Sequence, residues 1–251
     1  MRSELDVILR PELAAVLATA LIAGFVRGMA GFGAGLVLTP VFSALYTPAL
    51  AVPSLGLADF TMNMRNTLGA MRRCDWREVG PLAAAAVLAL PFGGYLLATV
   101  RPDFLRVGMS LFILSAIGLL ASGWRYRRKP GLTMTAAVGI VAGLAGGAMG
   151  FAGPPVAVFW LGGQADAARA RDNIMALFGV TGTVSLAVYV WNGLLTPVVF
   201  LFALALAPVY AAGLHLGGRA FKRLPERTFR ALSYALIGAV AAATLVVALL
   251  P

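Results

Sequence analysis

Charge is scarce in this chain: 12% of its 251 residues are Asp, Glu, Lys or Arg, against 60% apolar. A soluble domain holds about 25% charged residues. Too little polar side chain is present to wet a globule, and with a mean hydropathy of +0.88 the whole chain reads as one integral membrane domain, residues 1–251. Cysteine and histidine are nearly absent, one each at Cys74 and His215. An intrachain disulfide scaffold is therefore excluded, and no pair of histidines stands at metal-ligand spacing. There is no Gly-x-Ser-x-Gly elbow, no Walker A lysine and no Cys-x-x-Cys. Hydrolase chemistry and a self-contained ATP-driven pump lose their motifs, and neither cofactor nor metal is expected. A cleavable leader is not evident either, because Met1 to Glu12 carries Arg2, Glu4, Asp6, Arg10 and Glu12 without a separate apolar core.

What is present is a series of ten apolar segments: 11–30, 33–46, 49–71, 79–100, 104–123, 132–150, 154–163, 172–191, 195–217 and 230–250. A crossing helix needs roughly 20 residues, so 33–46 and 154–163 are too short to cross. Each follows its predecessor through a glycine-rich break, Gly28-Met-Ala-Gly-Phe-Gly-Ala-Gly35 and Gly146-Gly-Ala-Met-Gly-Phe-Ala-Gly-Pro-Pro155. Irregular backbone at membrane depth persists only where protein or a wet cavity satisfies it. A shift of 119 positions lays Ala23-Gly24 on Ala142-Gly143, Gly28 on Gly147, Gly31-Phe32 on Gly150-Phe151 and Gly94 on Gly213. The chain thus reads as an internal duplication, with one repeat at about 11–123 and the other at about 131–250.

The formal charge of +10 lies mostly in short runs between apolar stretches. That is a topology signal and does not point to nucleic acid. Loops 72–77, 125–129, the connector near 170 and loop 219–230 hold fourteen of the twenty basic residues, against Arg2, Arg10, Arg101 and Arg106 on the other side and Arg27 and Arg65 within apolar segments. All four basic loops fall on the cytoplasmic face if each glycine-broken pair enters and leaves by the same side, which leaves both termini outside. With five segments per repeat, loop 101–106 is then outside and its counterpart 219–230 inside. The fold expected is an all-α polytopic membrane protein of two inverted repeats, with glycine-broken half-helices meeting near the midplane.

The paired motifs Gly31-Phe-Gly-Ala-Gly35-Leu-Val-Leu-Thr-Pro40 and Gly150-Phe-Ala-Gly153-Pro154-Pro155, in two tandem halves, resemble the TauE/SafE sulfite exporter family, also called the toluene sulfonate uptake permease family. The resemblance implies a multi-pass carrier of the bacterial inner membrane that moves sulfite, sulfonates or other small organic anions. Expected partners are a small anionic substrate and the lipid bilayer, with a homo-oligomer left open.

The residues themselves point to an anion site. A helix starting at membrane depth presents unpaired N–H groups and the positive end of its dipole. Two such ends facing each other hold an anion. The candidate substrate ligands are Gly31, Phe32, Gly33, Ala34 and Gly35 in the first break and Gly150, Phe151, Ala152, Gly153 and Pro154 in the second. The competing explanation is that the glycines merely permit tight helix packing. Ionisable and amide groups within apolar segments add Arg27, Asn63, Asn66 and Asn173 as candidate ligands and Asp59 as an ion-coupling candidate, since each charge at the bilayer centre costs at least about 2.5 kcal/mol unless paired or wet. For Arg27 the alternative is an ion pair with an acid such as Asp59; for Arg65 and Asp172 it is snorkelling at a helix end. His215 is read as a structural group or a proton relay, and Trp76, Trp124, Trp160 and Trp191 as an interfacial belt. The expected function is gradient-driven transport without enzymatic activity. An anion channel, and a membrane-embedded accessory protein or enzyme, remain the alternatives.

Overall fold

The structure is a computed structural model in which residues 10–121, 130–161 and 167–223 are described. The described residues form nine helices and no strand: α1 Glu12–Ala30, α2 Ala34–Leu45, α3 Pro48–Arg73, α4 Trp76–Thr99, α5 Pro102–Ala121, α6 Leu132–Met149, α7 Gly153–Leu161, α8 Ala167–Trp191 and α9 Pro197–Arg223. The expected tenth segment 230–250, loop 125–129 and Trp124 lie outside the described residues. Five helices, α1, α4, α6, α8 and α9, are long and apolar enough to cross a membrane. With 12 and 9 residues, α2 and α7 extend roughly 18 and 14 Å, short of a hydrocarbon core of about 30 Å.

The helix ends follow from local chemistry. Gly31 stops α1 in the left-handed region at φ 82°, its N–H bonded to the Arg27 carbonyl at 2.8 Å, and Gly150 stops α6 the same way at φ 73°, bonded to Gly146 at 3.1 Å. Only glycine adopts that conformation freely. Thr47 caps α3 ahead of Pro48, and Asp75 caps α4 through the Arg77 N–H at 3.0 Å. Both α3 and α9 run past their apolar stretches into Arg72 and Arg73, and into Lys222 and Arg223, which sit well at the negative end of a helix dipole.

Two closely packed pairs frame the bundle, α1 with α9 and α4 with α6. A Cβ on Gly24, Gly28, Gly213 or Gly217 would collide with the carbonyl oxygen of Tyr210, Leu214, Leu21 or Phe25 across the first pair. Gly139, Gly143 and Gly147 stand likewise against the carbonyls of Leu82, Ala86 and Leu90 across the second. In both pairs the facing residues advance together, so the partners run parallel. Small residues bringing backbones into contact are how helices associate where water supplies no driving force. Inside this frame α3 packs against α8, with α9 beside α3 and α4 beside α8.

Side chains of α8 reach both broken helices, at opposite ends of α8. Near its start, Arg171 donates to the carbonyls of Gly28 (2.7 Å) and Met29 (3.2 Å) at the end of α1. Near its finish, the Tyr189 hydroxyl donates to Gly146 and Gly147 at the end of α6, both at 3.3 Å. The start of α8 also gathers basic segments at one end of the bundle: Arg73 forms a bidentate pair with Asp172 at 2.8 and 3.0 Å, and the Arg171 guanidinium lies 4.4 Å from the Phe221 ring centre. Arg106 sits at the other end, bonded to the carbonyls of Ser43 and Tyr46.

Candidate functional site

The residues between α1 and α2 and between α6 and α7 touch each other. A Cβ on Gly35 would collide with the Gly150 carbonyl and stand 2.7 Å from Phe151 Cβ, and a Cβ on Gly153 would stand 2.9 Å from the Phe32 ring. Beside this contact a cavity of about 480 Å³ opens between α3 and α8. Both breaks line it, through Gly33, Ala34 and Gly35 on one side and Gly150, Phe151, Ala152 and Gly153 on the other. Gly33 is left-handed at φ 96°. The first intrahelical bond of α2 runs from Val37 N–H to the Gly33 carbonyl at 3.2 Å, so the amides of Ala34, Gly35 and Leu36 have no acceptor within the helix.

One ion pair forms part of the wall. Arg27 Nε and Nη2 donate to Asp59 Oδ1 and Oδ2 at 3.2 and 2.8 Å, Nη1 donates to the Gly31 carbonyl at 2.6 Å, and the guanidinium stacks 4.9 Å from the Phe178 ring centre. The Tyr210 hydroxyl on α9 donates to Asp59 Oδ1 at 2.6 Å. The pairing weighed for Arg27 in the sequence is thus the one present. Its two members differ in access: the Arg27 side chain is 6% exposed and that of Asp59 24%.

Other candidate residues lie off the cavity. Gly31 packs against Arg171 Cγ (3.0 Å) and Met175 Cγ (3.2 Å), and Phe32 is fully buried. Asn66 donates to Asn63 Oδ1 at 3.1 Å, and the buried Asn63 Nδ2 has no partner. Asn173 accepts from the Asp75 N–H at 2.8 Å and donates to Glu78 Oε2 at 3.2 Å, tying α8 to the start of α4. Pro154 begins the first turn of α7, its side chain outside the described residues. Trp160 departs from the expected interfacial belt: it is buried, donating to Glu78 Oε2 at 3.1 Å; His215 is exposed. Burial pushes the Cys74 thiol up, away from a reactive thiolate.

The sequence did not point to Thr67, Thr181, Thr183, Ser185 or Tyr189 as cavity residues, nor to Tyr210 as the second partner of Asp59. The spacing of Thr181 and Ser185, four apart on an apolar helix, was the one trace. Thr181 and Thr183 donate their protons to the carbonyls of Leu177 (3.1 Å) and Gly179 (2.9 Å), so they face the cavity as acceptors. Donors suited to an anion are therefore the backbone amides at the start of α2 and the Arg27 guanidinium. Among the described residues no group of three or more His, Cys, Asp or Glu could hold a metal ion. Compared with known proteins, residues 16–244 match the family model described as Sulfite exporter TauE/SafE. No curated protein and no solved structure matches.

Proposed function

Because the chain belongs to the Sulfite exporter TauE/SafE family and is a multi-pass membrane transporter, we propose that it is a gradient-driven carrier of small sulfur-containing or organic anions, sulfite and sulfonates among them, in a bacterial inner membrane. The observation that carries this reading is the cavity where Gly33–Gly35 and Gly150–Gly153 converge beside Arg27. The anion lies against the unpaired amides of α2, where the helix dipole is positive, and the start of α7 faces it from the second half. Glycine at these positions keeps the backbone within reach of the ligand. Asn63, Asn66 and Asn173 lie outside this first layer of contacts.

The two halves are inverted repeats whose half-helices start at the cavity. Support comes from α1 and α6, equivalent under the 119-residue shift, whose ends are held at opposite ends of α8 by Arg171 and Tyr189. It comes also from the pairing of the first helix of each half, α1 or α6, with the fourth helix of the other, α9 or α4. Alternating access then rocks one half against the other around the fixed site. Purified protein in liposomes tests the reading by counterflow of radiolabelled sulfite and methanesulfonate. Saturable exchange at low turnover is expected. A linear anion current would replace the carrier with a channel, and the absence of both would overturn transport.

A further inference from the structure

The Arg27–Asp59 pair leaves the cavity with an unusual electrostatic face. The guanidinium that would attract an anion is almost covered, and the more exposed partner is the carboxylate. Each guanidinium nitrogen of Arg27 already donates one hydrogen bond, Nε and Nη2 to Asp59 and Nη1 to the Gly31 carbonyl, so the edge turned toward α3 is held by the carboxylate. An anion entering this cavity meets Asp59 as a like charge and as a competitor for the same guanidinium.

The groups facing Asp59 can be enumerated element by element. Arg27 comes from α1 and Tyr210 from α9. From α8 come the uncharged Phe178 and, further along the wall, Tyr189, whose hydroxyl is bonded to Gly146 and Gly147. The portions of α2 and α6 at the cavity are glycine and alanine. Arg171 is turned to the carbonyls of Gly28 and Met29, while Arg77, Glu78, Arg101, Asp103 and Arg106 belong to the bundle ends on α4 and α5. Among the described residues that line the cavity, Asp59 is thus the one carboxylate and Arg27 the one cation.

We propose that the coupling ion is a proton carried by Asp59: the anion and the Asp59 carboxylate compete for Arg27, so the anion binds only when Asp59 is protonated, and proton and anion cross together. This rests on the carrier reading. The step is a simple proton transfer. Water on the open side gives a proton to an Asp59 carboxylate oxygen, an O–H bond forms, the Arg27 hydrogen bonds to Asp59 are released, and the anion takes them. On the other side the anion leaves, the proton returns to water and Arg27 closes again on Asp59. The empty site contains Arg27 as cation and Asp59 as anion; the loaded site contains Arg27 as cation, neutral Asp59 and the bound monoanion. Both are neutral overall. No unpaired charge is carried through the low-dielectric centre in either direction, where it would be most costly. With one proton per monoanion the membrane potential drops out, and the carrier exports whenever the inside-to-outside anion ratio exceeds the outside-to-inside proton ratio.

Full-length protein in liposomes, clamped at zero potential with potassium and valinomycin, tests this with labelled methanesulfonate, which stays a monoanion across the working pH range as sulfite does not. A gradient of one pH unit, acid outside, should accumulate the label about tenfold, since one pH unit is one factor of ten in proton activity. Entrapped pyranine should report matching proton entry. Asp59→Asn should abolish the pH-driven accumulation and flatten the pH profile of exchange. Tyr210→Phe keeps the pair but removes a hydrogen bond to the carboxylate, and should move the pH profile of exchange. Net uptake by the parent protein without proton entry, accumulation driven by a sodium gradient instead, or an unmoved profile in Tyr210→Phe would each overturn proton coupling while leaving the carrier intact. A parent protein that exchanges neither sulfite nor methanesulfonate would overturn the carrier reading and this inference with it.

Discussion

The two glycine breaks share a backbone and differ in chemistry. Both end a long helix on a left-handed glycine, Gly31 and Gly150, and both have carbonyls near that end bonded from a side chain of α8. Around the first break the donors are cationic, Arg171 and Arg27, and the latter is paired with Asp59. Around the second the donor is the neutral Tyr189 hydroxyl. Under the 119-residue shift Arg27 and Asp59 fall on Gly146 and Phe178, and all four residues line the cavity. The chain carries two copies of a helix-breaking device, and the charge stands at one of them. A single ion pair then faces the ligand, whereas a fully symmetric site would hold two.

The largest effect expected from breaking this asymmetry is on stability. Arg27→Ala leaves the half-buried Asp59 without its cation and the Gly31 carbonyl without its side-chain donor, and should cost about 3 kcal/mol, read from the thermal unfolding of detergent-solubilised protein. Arg27→Met with Asp59→Leu removes both charges and should recover most of that loss while abolishing transport. A double variant as unstable as the single would show that the pair is not a unit.

The helix pairs should respond alike in the two halves. Gly217→Val and Gly143→Val both drive a side chain into a facing carbonyl, Phe25 in one case and Ala86 in the other. Each should cost about 1–3 kcal/mol or more. Gly213 belongs with them through its contact with the Leu21 carbonyl, whereas a Cβ on Gly94 meets side chains, those of Val188 and Asn192, and no backbone, and should cost less. Equal stabilities for Gly213→Val and Gly94→Val would contradict the backbone contacts.

A smaller difference is expected between the helix caps. Arg171→Met removes charged hydrogen bonds to α1 and should cost about 1.5–3 kcal/mol, against about 0.5–1.5 kcal/mol for Tyr189→Phe at α6. The smallest effect on folding belongs to Gly182, which lines the cavity with nothing within 4 Å of an added Cβ. Gly182→Leu should leave the melting temperature within about 2 °C and slow exchange several-fold by filling the cavity. Gly80→Ala, also in open space, should change neither.

Much of the fold was legible from hydrophobicity and glycine. The segment expected at 33–46 is Ala34–Leu45, and 154–163 begins as Gly153–Leu161, because a left-handed glycine leaves a mark that needs no knowledge of the tertiary fold. The ends of α3 and α9 were placed too early because Arg72, Arg73, Lys222 and Arg223 look like loop residues until the dipole they complement is considered. The site was legible in part. Both breaks and the Arg27–Asp59 pairing could be reasoned from local sequence and the cost of charge in lipid. The contact of Tyr210 with Asp59, 151 positions away, could not, because neither the parallel pairing of α1 with α9 nor the rotation of α9 is written in any local pattern. The same limit holds for Asn173, which resembles a ligand until the N-terminus of α4 is seen to occupy it.

The parallel pairing of α1 with α9 also sets a timetable for assembly. Synthesis delivers α1 to the bilayer long before Tyr210 and Gly213 exist, an interval on the order of ten seconds or more at ribosomal rates of about 5–20 residues per second. During that interval the Gly24 and Gly28 face of α1 has lipid where the backbone of α9 will later lie, and Asp59 lacks its second hydrogen bond. Nascent chains halted before Pro197 therefore hold the first break without its final support, and the quality of the assembly is decided by a helix that leaves the ribosome long after the break it supports.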